Sequence, residues 1–243
     1  MSRLLTWTIF LLHLWKKRFH YNNLKRITDK SGARHYSLDG HKVPSVTTIL
    51  EKTKSQKEKD SLSAWKARVE YTEASRISRE STSRGDKMHK HLEDALHGKQ
   101  HLDFVEISDV EKKMSEVIIN QALEKKLNEI WGCETPLYYP HSHAGTTDLC
   151  GVYDNNESII DFKSSNRIKK REWITDYFLQ TCAYALAHNL QHKTNIRQGV
   201  ILICTSKFEF QEFIIKDNEF LWYQKKFEDR VRKYQDLVRL EDE

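Results

Sequence analysis

The 243-residue chain predicts an α/β fold in which helices flank a sheet, and three observations lead there. Residues 134–216 arrange strand-like apolar runs around one helical stretch, and residues 44–130 are dominated by helix-period sequence. At 243 residues the chain is long enough for one well-cored domain with additions and too short for two large ones. Three prolines and eight glycines argue against long linkers.

In chain order, Leu4 to Trp15 is almost wholly apolar and runs into Lys16, Lys17 and Arg18. As a helix its twelve residues reach about 18 Å, short of the roughly 30 Å of a hydrocarbon core, so no integral membrane span is expected. A docking helix, a membrane-surface anchor and an extension from an upstream start codon all fit this segment. Residues 1–18 are therefore set apart as a hydrophobic N-terminal extension, and 19–243 is read as a single domain, helical over about 44–130 and carrying its sheet and further helices over about 131–243. Tyr36 to Val43, with Asp39-Gly40 as its turn, predicts a hairpin. Pro44-Ser45-Val46-Thr47-Thr48-Ile49-Leu50 predicts a helix start with Ser45 as the cap. Lys52 to Lys59 reads as a connection, and Leu62 to Leu96 as helix interrupted near Ser81 to Gly85. The apolar stripe Val110, Met114, Val117, Ile118, Ala122 and Leu127 predicts a helix from Ser108 to Ile130. Strands follow over 134–139, 145–153 and 158–163, then a helix over 172–189, strands over 199–205 and 208–216, and a final amphipathic helix from Asn218 to about Leu240.

The chemistry-bearing stretch is Gly145 to Lys163. Gly145-Thr-Thr-Asp148 is followed, twelve residues later, by Asp161-Phe162-Lys163. The midpoint between Asp148 and Asp161 falls inside Asp154-Asn155-Asn156, a turn-forming run between two strand-like segments. A hairpin closing there sets the two aspartates opposite each other, with Cβ atoms roughly 5 Å apart, and puts Lys163 on the face of Asp161. Two carboxylates that close call for a cation. Oxygen ligands suit Mg²⁺, and an ammonium beside it can hold the attacking water and offset charge on a phosphate in the transition state. The same spacing also suits an Asp-Asp-Lys ion-pair cluster on an exposed strand face.

Charged residues are 31% of the chain and the net charge is +5, a mild excess compatible with a polyanion. Its distribution says more: Arg167, Lys169, Lys170 and Arg171 lie within eight residues of Lys163, where a groove tracking a phosphate backbone or a solvated loop would have them. Cys133, Cys150, Cys182 and Cys204 contain no Cys-x-x-Cys pair, which points away from a structural zinc site or a disulfide framework and toward a reducing compartment.

Two helical pairs could join this chemistry. His89 and Glu93, four apart, share a helix face and supply a third metal ligand with an accessory acid, or a plain solvated contact. The pattern lacks the second histidine of a zinc protease. Gln180 and Tyr184, also one turn apart, offer a phosphate-gripping amide and a hydroxyl, or ordinary core packing.

Taken in order, Arg84-Gly85-x3-His89-x3-Glu93, Glu134, Gly145-x2-Asp148, Asp161-Phe162-Lys163 and Gln180-x3-Tyr184 resemble the RecB-like branch of the PD-(D/E)xK nuclease superfamily. Within it the pattern is most similar to the phage-type exonucleases and the mitochondrial genome maintenance exonuclease, whose members carry a segment like Pro44 to Leu50. The resemblance covers roughly residues 19–216. It implies a restriction-endonuclease-like core, a central mixed β-sheet flanked by helices with an N-terminal helical region. It implies Mg²⁺ or Mn²⁺ held by His89, Asp148, Asp161 and the backbone carbonyl of Phe162, Lys163 as the catalytic lysine, and Gln180 and Tyr184 as substrate contacts. Glu93 and Glu134 become accessory acids, and Arg84 joins Arg167, Lys169, Lys170 and Arg171 as the DNA-binding set. The iron-sulfur cysteines of some RecB-like nucleases have no counterpart here. The expected activity is a metal-dependent exonuclease acting on single-stranded DNA ends in replication, recombination or repair, beside replication or recombination proteins, with part of the 62–96 helical run arching over the site. A structure-specific endonuclease and a noncatalytic DNA-binding module are the alternatives. The expected location is intracellular, cytoplasmic in a bacterium or phage-infected host, with mitochondria as the alternative.

Overall fold

The computed structural model describes residues 11–30, 32–38, 40–98 and 109–242. Leu4 to Phe10, Asp39 and Ser108, which figure in the expectations above, lie outside the described residues. The architecture is α/β, a five-stranded mixed sheet flanked by helices, with a small three-stranded sheet before it.

The small sheet is an antiparallel meander of β1 (Lys25–Thr28), β2 (Arg34–Leu38) and β3 (His41–Pro44). Its second hairpin follows the Tyr36–Val43 pattern, with Leu38 opposite His41. All four residues of β1 are exposed, so no alternation marks it in the sequence. Helix α1 (Val46–Lys52) starts at its expected cap: the Ser45 hydroxyl accepts the Thr48 N–H at 3.0 Å, and Val46, Ile49 and Leu50 are buried.

Two expectations about the helical region change. The connection over Lys52 to Lys59 is shorter, because Ser55 and Glu58 form a reciprocal capping box that starts α2 (Gln56–Val69) at once. The interruption near Ser81 to Gly85 is absent. The chain breaks instead at Glu70, which adopts φ 67°, and α3 (Tyr71–Leu96) runs unbroken through Gly85. Met88, Leu92 and Leu96, all buried, anchor α3 to the sheet. That burial outweighs the roughly 1 kcal/mol that a helical glycine costs relative to alanine.

Helix α4 (Asp109–Ile118) continues through a π turn, Ile119–Leu123, and a last turn, Glu124–Lys126. It does not reach Ile130. Leu127 already pairs with Tyr153, so β4 (Leu127–Tyr139) begins seven residues before the expected Glu134; cross-strand pairing overrides the helical spacing of Leu127. The sheet order is β4, β5 (His143–Tyr153), β6 (Asn156–Ser165), β7 (Gln198–Thr205) and β8 (Phe210–Lys216). All pairs are antiparallel except β6–β7, and that parallel pair needs a crossover, supplied by α5 (Thr175–His192). Central β7 is buried along its whole length. Its Ile201 and Ile203 face a core shared with α5 and the final helix α6 (Asp217–Asp242), while Val200, Leu202 and Cys204 face a core shared with α3 and α4.

The described part of the apolar N-terminal stretch is docked on this body. Leu11 is buried, Trp15 Nε1 donates to the Leu96 carbonyl at 2.7 Å, and Ile130 exchanges hydrogen bonds of 2.8 Å with Leu14 and Lys16. Of the three readings of this segment, docking describes residues 11–16, which cover the outer edge of β4. Among the described residues no helix is long and apolar enough to cross a membrane.

Candidate active site

The β5–β6 hairpin closes where the sequence spacing requires. Tyr153 pairs with Asn156, and Asp154 and Asn155 both take positive φ, 50° and 62°, as a two-residue primed turn demands. The ladder runs back to the Leu149–Ile160 pair and stops there, one step short of Asp148 and Asp161. Beyond it the strands part. The Phe162 N–H, left without a backbone acceptor on that side, donates to Asp148 Oδ2 at 2.7 Å. In a strand the N–H and C=O of one residue point the same way, so the Phe162 carbonyl opens toward the same gap.

A third acid arrives from β4. Between the Cys133–Leu149 and Thr135–Thr147 pairs, Glu134 sits across from Asp148, at φ 49°. Glu134, Asp148 and Asp161 therefore stand abreast on three neighbouring strands. From above, α3 brings His89, whose Nδ1 lies 3.5 Å from Asp148 Oδ1. Ligand atoms of His89, Glu134 and Asp148 all fall within 4.8 Å of one another. Asp161, 2% exposed, pairs with Lys163 at 2.5 Å. The carboxylate atom that meets the ammonium is Oδ2, which is buried. The Lys163 ammonium rests 5.1 Å from the centre of the Tyr177 ring.

The electrostatics follow from crowding. Burial alone would lower His89, but the Asp148 charge and hydrogen bond raise it to about 9. Burial opposes the Asp148 charge, yet His89, Lys163 and the Phe162 N–H hold that carboxyl below its ordinary value. Asp161 is pushed up to about 6 by burial and by Asp148, with Lys163 pulling the other way. Glu134, although exposed at the cleft mouth, is pushed up to about 7 by desolvation of its carboxyl and repulsion from Asp148. Against its burial, Lys163 is held above its usual value by Asp161 and Asp148. The His89 imidazolium and the Lys163 ammonium stand against the three acids of the row, while Lys90 is paired with Glu93 and Asp94. The oxygen-rich donor set fits a hard divalent ion: His89, Glu134 and Asp148 lie within reach of one another, and Asp161, ion-paired with Lys163, is the further available ligand.

His89, Glu134, Asp148 and Lys163 line a cavity of about 470 Å³, together with Ser81, Thr82, Gly85, Asp86, Lys90, Glu93 and Ser164, and the buried Asp161 lies outside that lining. Glu93 is ion-paired with Lys90 at 3.2 Å. Gln180 donates to the Tyr184 hydroxyl at 3.2 Å. The Tyr184 ring packs on Gly145 so tightly that a Cβ there would lie 2.7 Å from it. Arg84, Arg167 and Lys169 line a neighbouring cavity instead. Lys170 lies over the Trp173 ring, and Arg171 binds the Ile214 carbonyl at 3.0 Å and Glu219 at 2.7 Å, so neither lines these two cavities.

Sequence reasoning left out Ser81, Thr82, Asp86, Ser164 and Tyr177. Thr82, Asp86, His89 and Glu93 form a polar stripe at helical spacing, and Tyr177 lies one turn before Gln180, so both patterns were available. The position of Glu134 was also available: the midpoint between 134 and 148 is His141, in the Pro140-His141-Ser142 turn.

No protein-family profile matches the chain. A curated relative, "Mitochondrial genome maintenance exonuclease 1" of Xenopus tropicalis, is 28% identical over 193 residues, 70% of this chain and 50% of the relative. The chain thus spans half the length of that protein. Among solved structures, the crystal structure of SSO0001 is similar at 14% identity and TM-score 0.36, covering 70% of this chain and 69% of the other.

Proposed function

We propose that the chain is a divalent-metal-dependent DNA exonuclease of the RecB-like PD-(D/E)xK type, hydrolysing phosphodiester bonds at single-stranded ends. The observation that carries this reading is the row Glu134, Asp148 and Asp161 with Lys163 beside Asp161 and His89 above Asp148. An acidic cleft that keeps a half-buried ammonium in its lining suits an anionic substrate only when a cation joins it. Mg²⁺ or Mn²⁺, held by His89, Asp148, Asp161 and the Phe162 carbonyl, supplies Lewis-acid polarisation of a phosphate oxygen when bound.

The chain's own groups do the rest. Lys163, kept protonated by two aspartates and steadied over Tyr177, positions the attacking water and offsets charge that builds on the phosphate oxygens. Glu134, at the open side of the cleft, orients that water. Gln180, fixed by Tyr184, presents its amide to the substrate. The named activity of the Xenopus relative supports an exonuclease, and its mitochondrial name favours the mitochondrial setting over the bacterial or phage one, with genome replication, recombination or repair as the role.

Digestion of end-labelled linear and circular single-stranded DNA tests the reading. Loss of the linear strand alone, abolished by EDTA and by Lys163→Ala, is the expected result. Cutting of the circle indicates an endonuclease. DNA binding with no lysine-dependent cutting indicates a noncatalytic binding module and overturns the proposal.

A further inference from the structure

Beside the acidic cleft lies a second cavity of about 480 Å³, walled by α2, by α3 and by the segment after β6. Among the described residues four cations line it, Arg68, Arg84, Arg167 and Lys169, and no carboxylate does. Cations this close repel one another, and burial together with Arg167 holds the Lys169 ammonium below its usual value. Arg84 is the sharper sign. Its Nε and Nη2 are buried and make no hydrogen bond, although a guanidinium is a five-donor group that proteins rarely leave unpaired. Such a lining asks for an anion that accepts several hydrogen bonds at once, and a phosphate is that anion.

The cavity is continuous with the acidic cleft. Ser81 and Ser164 line both, and Ser164 follows Lys163 directly in β6. The rim carries an aromatic platform: Trp173 is 53% exposed, with the Arg167 guanidinium 5.5 Å and the Lys170 ammonium 5.4 Å from its ring centre. An exposed indole flanked by cations is a surface on which an unpaired base stacks while its phosphates stay neutralised. Helix α2, which has no buried residue and contributes Trp65 and Arg68, closes the far wall.

We propose that this second cavity is a strand-holding subsite: it binds a phosphodiester next to the one at the acidic cleft, with the neighbouring base stacked on Trp173. The inference deepens the nuclease reading and rests on it for the identity of the strand, but it makes a separate claim. Binding here needs no divalent ion and selects unpaired strands, because a duplex offers no free base face to Trp173. Lys170, which misses both cavities, acts at this platform.

The test is fluorescence anisotropy with labelled dT12 and with a blunt duplex of equal length, in EDTA, over a series of salt concentrations. Wild type is expected to bind dT12 more tightly than the duplex. Arg84→Ala is expected to weaken dT12 binding roughly tenfold and to lower the salt slope by about 0.7, the value for one phosphate contact on a single strand. Trp173→Ala is expected to weaken it at least about fivefold with little change in slope. The Arg68→Ala/Lys169→Ala double variant alters only the cavity wall; it is expected to lower the slope by about 1.4 and guards against an Arg84 variant that misfolds. Lys225→Ala, on α6, is expected to change nothing. If Lys163-dependent hydrolysis is present but these variants leave affinity and slope at wild-type values, the subsite is overturned and the nuclease reading stands. If hydrolysis is absent but the binding pattern holds, the subsite stands and the nuclease reading falls.

Discussion

The cavity beneath His89 and the one beside Arg84 have nearly the same volume, about 470 and 480 Å³, and share two serines, yet their charges are opposite. The first gathers Asp86, Glu93, Glu134 and Asp148 around Lys90 and Lys163; the second gathers Arg68, Arg84, Arg167 and Lys169. One helix divides them. On α3, Thr82, Asp86, His89 and Glu93 form one stripe, and Ile77, Ser81 and Arg84 form the next, so a modest rotation about the helix axis switches the field from cation-seeking to anion-seeking. Polyanion and cation are then held side by side. The arginines hold the strand without neutralising the acids that a metal needs, and the acids repel phosphate only until a metal arrives.

The strongest way to break this division is to remove the chemistry and keep the strand. Lys163→Ala and Asp161→Asn should each lower hydrolysis of labelled single-stranded DNA by about 10²–10³-fold or more, the range for losing one transition-state contact. Circular dichroism should show the fold retained, because neither side chain belongs to the apolar clusters. An Asp161→Asn protein that cuts at the wild-type rate would sink the assignment of the acidic cavity.

A pH profile sharpens the same side at smaller effect. Asp161 and Glu134 titrate at about 6 and about 7, so cation binding and hydrolysis should fall as pH drops through that window, where both acids regain protons. Glu134→Gln should cost roughly tenfold at pH 8 and remove the upper step, moving the acid limb toward about 6. Stability without metal carries the opposite sign. Acids raised in the folded state hold protons more tightly than in the unfolded chain, so their contribution shrinks as pH climbs from the ordinary carboxylate range to about 7. His143 and His188, buried neutral with lowered values, act the other way: their contribution is present above the ordinary histidine value and lost toward acid. The difference between wild type and Glu134→Gln, read by thermal melts with and without Mg²⁺, isolates the acidic site.

How far the two cavities could be read from sequence differs for a physical reason. The acidic one is written in local spacing. Asp148 and Asp161 straddle a turn that Asp154 and Asn155 specify, and Lys163 follows by strand period, so two hairpins and a helix stripe contain most of it. The basic one is assembled from α2, α3 and the segment after β6, and its residues share no period. Arg167 and Lys169 stood out as a charge run, but Trp65 and Arg68 looked like any exposed helix face, and Arg171 belongs to the same run yet binds Glu219. Of the fold, the sheet strands and the capped helix after Ser45 were legible from alternation and caps. The break at Glu70 and the start of β4 at Leu127 were not, because tertiary packing set them against local preference.

The packing of β5 against α5, near the acidic cavity, offers a stability contrast. Gly145→Ala should destabilise the protein by about 1–3 kcal/mol, because the new methyl meets the Tyr184 ring, which is buried and whose hydroxyl is held by Gln180. Denaturant unfolding measures this. The basic cavity has no equivalent: Arg68 and Arg167 are exposed, and replacing either should shift stability by less than about 0.5 kcal/mol. Equal effects on both sides would mean that the two cavities are walled alike.

The smallest change tests the boundary itself. Gly85 lies on α3 where the helix passes Ser164, and a Cβ there would stand 3.4 Å from the Ser164 hydroxyl, at ordinary contact distance. Its φ is that of a normal helical residue, so the backbone does not require glycine, and Gly85→Ala should stabilise the helix by about 0.5–1 kcal/mol. If the glycine instead keeps open the passage from one cavity to the other, the same substitution should slow hydrolysis of long strands by a few-fold while raising the melting temperature. A gain in both quantities would show that the serines alone form the boundary and that the strand does not cross at Gly85.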